Sequence, residues 1–150
     1  MVGLTADERA RVAEVARAWL DTPFHADAMR KGVGVDCGRL LLAVYIEAGI
    51  IAPSAARTLD APHAPLGLHL HQGDDRYLRI IERFATPVVR PWQVGDVFLF
   101  RGPRWPSFGH GAILVSQSSV VHAIAPRVVE WPLASSWFRA STVRALRVVR

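Results

Sequence analysis

Residues 32–50 read GVGVDCGRLLLAVYIEAGI and carry the only cysteine in the chain. Cys37, Leu40, Leu41, Val44, Tyr45 and Ala48 recur at helical spacing, which predicts a helix from about Asp36 to Ala48. Gly49 follows as the C′ residue that lets the chain turn away. Cys37 is therefore expected on the inward face, in the first turn. There the helix dipole and the unpaired backbone N–H groups lower a thiol pKa and favour the thiolate. The same N–H groups can receive the oxyanion formed when a thiolate attacks a carbonyl. A free cysteine is also a common small core residue, so this stretch alone leaves two readings.

Upstream, residues 5–20 read as an amphipathic helix. Thr5 and Glu8 fit a capping box, and Val12, Val15, Ala16, Trp19 and Leu20 form its apolar stripe. Asp21-Thr22-Pro23 ends it, because a residue before proline avoids helical angles. Residues 24–35 read as an irregular connection. Downstream, residues 51–73 hold Pro53, Pro62 and Pro65 with little periodicity, and a loop of that length is usually functional or mobile. A third helix is expected over 74–85, capped by Asp74, with Tyr77, Ile80, Ile81 and Phe84 on its apolar side.

After Pro87 the pattern turns to short β-type runs: VGDVFLFR (94–101), HGAILVS (110–116), SVVHAIA (119–125), VVEWPL (128–133) and ALRVVR (145–150). WFRAST (137–142) reads either way. Helices first and strands after argue for an α+β fold with an antiparallel sheet.

Two histidines lie in adjacent strands, His110 and His122, twelve residues apart. A hairpin turning symmetrically about Ser116 sets them opposite each other on one face, with Cβ atoms roughly 5 Å apart. A slip of one residue would separate them to opposite faces. A nucleophilic cysteine needs a base, and the base needs a partner that holds its tautomer. Cys37, His110 and His122 fill those roles. The alternative for this trio is a Cys-His-His zinc site, which lacks a fourth ligand or a close ligand pair at metal spacing.

Bulk properties set the frame. The chain has 150 residues, 51% of them hydrophobic, enough for one domain with a real core. Seventeen arginines and Lys31 outweigh 13 acids, and the pI is about 10.6. That balance suits a polyanionic partner, but the arginines are scattered and form no nucleic-acid motif. A single cysteine excludes an internal disulfide. The start lacks the basic-then-apolar pattern of a secretory signal, and no apolar run reaches the ~18 residues of a membrane span. The expectation is a protein made in the cytoplasm without a signal peptide or membrane insertion.

Taken together, AWLDTPFHADAMRKGVGVDCGRLL (18–41), VGDVFLF (94–100), HGAILV (110–115) and VVHA (120–123) resemble the NlpC/P60 cysteine peptidases, particularly compact versions carried by phage-like particles. The resemblance implies a papain-like fold over residues 1–150, with N-terminal helices packed on a small antiparallel sheet. It implies Cys37 as nucleophile, His110 as general base and His122 as the residue orienting His110, with no metal or organic cofactor. The implied reaction is hydrolysis of a peptidoglycan stem peptide, commonly between γ-D-glutamate and a diamino acid. The implied setting is a phage or phage-like tail, with tail or hub proteins as partners. Asp36 matches a residue that in some members binds a free substrate amine.

Two departures from the family pattern stand out. Gly38 and Arg39 follow the cysteine where the family usually reads Ser-Gly or similar, and the missing hydroxyl at Gly38 weakens the amine-binding expectation for Asp36. Arg39 is expected to point away from the face that carries Cys37. Phe24 and His25 replace a Thr-Pro-Tyr tyrosine, leaving His25 as the candidate oxyanion donor. Trp105, in the loop before His110, is the candidate cleft contact among Trp92, Trp105, Trp131 and Trp137. HLHQGDD (69–75) reads as a polar helix entry rather than a metal site, and His63 as part of a solvated loop. Rival functions are a tail-tip subunit of peptidase ancestry with little turnover, and a thiol acyltransferase or amidase on another substrate.

Overall fold

The computed structural model describes residues 2–59, 76–102 and 108–150. Helix α1 spans Ala6–Ala18, and its capping box is complete: the Thr5 side chain accepts from Glu8 N–H, and the Glu8 carboxylate accepts from Thr5 N–H. The connection to the next helix is more ordered than the sequence suggests. Strands β1 (Met29–Arg30) and β2 (Gly34–Val35) form a small antiparallel hairpin, with Gly32 at φ 76° in its turn. Gly34 is required there, since a Cβ would lie 2.9 Å from His25 Cβ and 3.2 Å from Ala28 Cβ.

Helix α2 spans Cys37–Glu47, with Asp36 as N-cap, Ala48 as C-cap and Gly49 at φ 76° beyond it. Every residue from Cys37 to Tyr45 is buried, so α2 is the central helix rather than a surface one. A 3₁₀ helix follows at Pro53–Leu59. Helix α3 spans Arg76–Ile81, and strand β3 (Ala85–Pro87) begins soon after. The helix expected over 74–85 thus stops at Ile81. Ile80 and Ile81 still reach the core, and Phe84 reaches it from the turn that follows. Its expected cap, Asp74, and His63, His69 and His71 lie outside the described residues.

The remaining elements are β4 (Asp96–Arg101), β5 (His110–Leu114), β6 (Ser119–Ile124), β7 (Arg127–Pro132), α4 (Ser136–Arg139) and β8 (Thr142–Val148). The ambiguous stretch 137–142 thus splits between a short helix and the start of the last strand. Six strands form one antiparallel sheet in the order β3-β8-β4-β5-β6-β7. Alternation gives the sheet two faces. Val97, Leu99, Ile113, Val115, Val121 and Leu146 join α1 and α2 in the main core. Phe98, Phe100, Ala112, Leu114 and Val120 face the other way, under Phe138 of α4. Among the described residues, no helix is long and apolar enough to cross a membrane.

Candidate active site

The start of α2 is organised by Asp36. Its Oδ1 accepts from Arg39 N–H at 2.8 Å, the N-cap bond. Its Oδ2 accepts from Asp27 N–H at 2.8 Å and from Arg39 Nη1 at 2.7 Å. Arg39 Nη1 also lies 3.3 Å from Asp27 Oδ1. Asp36 has no exposed surface. Burial raises its pKa, and the hydrogen bonds and charge of Arg39 pull the other way. Arg39, expected to point away from the face that carries Cys37, folds back onto its own cap and is buried. The side chain assigned to a substrate amine is therefore engaged by groups of the protein itself.

Cys37 follows, at 1% exposure. Among the described residues, β5 pairs with β6 through Ile113↔Val121 and Leu114↔Val120, and not farther toward His110. The first turn of α2 approaches in that opening. Cys37 Sγ lies 3.7 Å from Gly109 O, and Gly111 N–H is hydrogen-bonded to it. The sulfur thus touches the backbone on both sides of His110, satisfying strand groups that a longer β5–β6 ladder would have paired. The N–H groups of Gly38 and of Cys37 itself also bear on the sulfur.

The expected low thiol pKa does not follow from this buried geometry. Burial raises it most, the Asp36 charge adds to that, and the three N–H groups only partly offset them, leaving it pushed up to about 12. Desolvation outweighs the backbone N–H groups at the helix start.

His110 and His122 meet as a hydrogen-bonded pair, Nε2 to Nδ1 at 2.8 Å. The hairpin is centred on Gln117, not Ser116. Extending the observed register sets His110 opposite Ile124 and His122 opposite Ala112. The displacement is two residues, so both imidazoles keep one face and meet diagonally, within reach of long or aromatic side chains. The face is the one away from α1 and α2, shared with Phe100, Ala112 and Val120.

Aromatic rings wall the pair. Trp137 lies 5.2 Å from His110 between ring centroids, and Trp131 4.7 Å from His122. Phe138 and Phe100 also flank it, at 5.4 Å from His122 and 6.1 Å from His110. This enclosure holds both imidazoles neutral. Burial lowers the His110 pKa well below 6.5, with His122 adding to it, and burial lowers that of His122 to about 4. Among the described residues, Nε2 of His122 is buried with no hydrogen-bond partner.

Taking His110 Nε2 as the donor fixes the tautomers. His110 Nε2–H then donates to His122 Nδ1, and His122 carries its own proton on Nε2. Leaving that N–H without a partner costs about 1–3 kcal/mol. With those two nitrogens bonded to each other, they are not poised to share a metal ion. Among the described residues, no group of three or more His, Cys, Asp or Glu side chains could hold one.

The other expected site residues are placed less centrally. His25 is exposed, with Nδ1 3.0 Å from Ala26 O. Trp105 lies outside the described residues. A groove of about 720 Å³ runs along the imidazole face over Trp92, Phe98, Leu114 and Leu133. It reaches Phe100 and Phe138, and so ends at the aromatic wall rather than at Cys37 itself. Sequence reasoning named Trp131 and Trp137 only among the cleft candidates, and did not foresee that they and Phe138 pack on the imidazoles. A signal existed for Trp131: the β6–β7 register pairs it with Val120, two residues from His122 and on the same face.

Neither protein-family models nor curated protein sequences give a match to the chain. Solved structures do. A Staphylococcus aureus Mu50 protein described as similar to lipoprotein, NLP/P60 family, aligns with a TM-score of 0.68 at 17% identity, over 99% of this chain and 44% of its own. NlpC1 from Trichomonas vaginalis aligns with a TM-score of 0.65 at 15% identity, over 97% of this chain and 45% of its own. An NlpC/P60 family protein from Bacillus cereus ATCC 10987 aligns with a TM-score of 0.63 at 19% identity, over 99% of this chain and 41% of its own. The chain thus spans less than half the length of each of these proteins, and across that span it has the α+β, papain-like fold of the NlpC/P60 proteins.

Proposed function

We propose that the protein is a cysteine peptidase that hydrolyses peptidoglycan stem peptides, with Cys37 as nucleophile, His110 as base and His122 as the residue that orients His110. The observation that carries the reading is the convergence at His110. Cys37 Sγ touches the backbone on either side of it, and its imidazole is bonded to His122 at 2.8 Å.

The proposed chemistry gives each of the three residues one part. His110 accepts the thiol proton at Nδ1 while His122 fixes its ring through Nε2. The thiolate attacks the scissile carbonyl, and the N–H groups at the start of α2 face the oxyanion. His110 passes the proton to the leaving amine, and the acyl-enzyme is released by water that His110 activates. Burial is the largest influence on all three pKa values, so each relaxes toward its ordinary range when substrate and water reach the sulfur. The closed resting site keeps thiol and imidazoles neutral. Opening it favours the thiolate–imidazolium pair.

The proposed scissile bond is the γ-D-glutamyl–diamino acid link, and the proposed setting is a phage or phage-like tail; both rest on the sequence resemblance. One observation favours a second reading, a tail subunit of peptidase ancestry with little turnover: the thiol is sealed at 1% exposure. Incubation of purified protein with peptidoglycan sacculi, beside Cys37→Ala, separates the two. Peptide release by the wild type alone supports the peptidase. Equal release by both, or none by either, removes it.

A further inference from the structure

We propose that Arg39 is a positioning residue for the Cys37 thiolate: it holds the buried Asp36 carboxylate in a neutral pair, so that negative charge can form on the adjacent sulfur. The inference rests on the reading of Cys37 as nucleophile and adds to it a residue at the position where the NlpC/P60 resemblance fails.

Asp36 precedes the nucleophile and has no exposed surface. A carboxylate in that position keeps its charge only through partners. Two of them, the N–H groups of Arg39 and Asp27, are backbone dipoles. The cation is the Arg39 guanidinium, at 2.7 Å. One residue, three positions along, thus grips both carboxylate oxygens, one from its main chain and one from its side chain.

The other titratable groups around the thiol do not replace it. His110 and His122, from β5 and β6, are held neutral by burial. Asp27, before β1, lies 3.3 Å from the Arg39 guanidinium, with its side chain 65% exposed. Without the guanidinium, a buried negative charge would stand next to the forming thiolate. Asp36 already acts on the sulfur in the direction that opposes ionisation.

The test is the pH dependence of iodoacetamide alkylation, read as intact-protein mass. The chain has one cysteine, so the adduct reports on Cys37 alone. Arg39→Met should move the alkylation midpoint upward by about one pH unit, or about tenfold in rate at a fixed lower pH. Arg39→Lys should recover most of that shift. The double variant Asp36→Asn/Arg39→Met should return to or below the wild-type midpoint, because the charge that Arg39 offsets is gone. An unchanged midpoint in Arg39→Met, or a double variant as impaired as the single one, overturns the proposal. Should Arg39→Met not fold, Asp36→Asn alone decides: its midpoint must fall, and a rise or no change overturns the proposal. A wild-type thiol inert at every pH at which the protein stays folded, with or without a stem peptide to open the site, would instead remove the nucleophile reading.

Discussion

Acidification should destabilise this fold through its two buried imidazoles, and His122→Gln should remove a defined part of the loss. An unfolded histidine titrates near 6.5, whereas His122 in the folded protein is lowered to about 4. Between those values the unfolded chain binds a proton that the folded one refuses, so stability rises with pH across the window and falls on acidification. For His122 the loss is about 2 kcal/mol on going from about pH 7.5 to about pH 5, and about 3 kcal/mol once both states are protonated. His110 shifts in the same direction and adds to it.

Glutamine at 122 keeps a carbonyl oxygen able to accept from His110 Nε2–H but has no proton to gain. The assay is urea unfolding at the two pH values, followed by tryptophan fluorescence, with the slope m checked for constancy. Wild type should lose about 2 kcal/mol more than His122→Gln over this interval. Equal losses would show that His122 is not held neutral by burial, and the description of the enclosed pair would be refuted.

Two further substitutions test the surroundings. Gly34→Ala should destabilise by about 1–3 kcal/mol in thermal or urea melts, because the new Cβ meets His25 Cβ at 2.9 Å and neither atom can move without backbone shift. A neutral outcome would mean that the hairpin before α2 yields freely. Arg147→Ala should cost about 2–3 kcal/mol, since it strips both guanidinium bonds from the buried Asp96 carboxylate. The figure sits below that for a fully enclosed pair because the Arg147 side chain is 27% exposed. A loss under half a kcal/mol would place the pair among ordinary surface salt bridges.

Local signals in the sequence reported local structure well. Thr5 and Glu8 marked the start of α1, and Asp36 and Gly49 bracketed α2, because caps act within one turn. Period-two alternation located the strands and, through parity, the shared face of His110 and His122 even though the hairpin centre is one residue later. What was not legible depends on distant elements. The small hairpin at 29–35 has no apolar period of its own. The chain leaves helix at Ile81 so that Ala85–Pro87 can pair with β8, a strand some sixty residues on. The thiol pKa turned on how deeply α2 would be buried, which a helix-terminus argument does not contain. Arg39 folded inward because a buried carboxylate awaited it, and no spacing rule announces that.

The central claim is that Cys37 forms a covalent bond to substrate. It is tested most directly by mixing the protein with a defined stem peptide, quenching in acid and measuring intact mass. The account predicts an adduct equal to the substrate less its leaving amine, mapped to the peptide holding Cys37 and absent from Cys37→Ala. Product release without any such adduct, undiminished in Cys37→Ala, would contradict it.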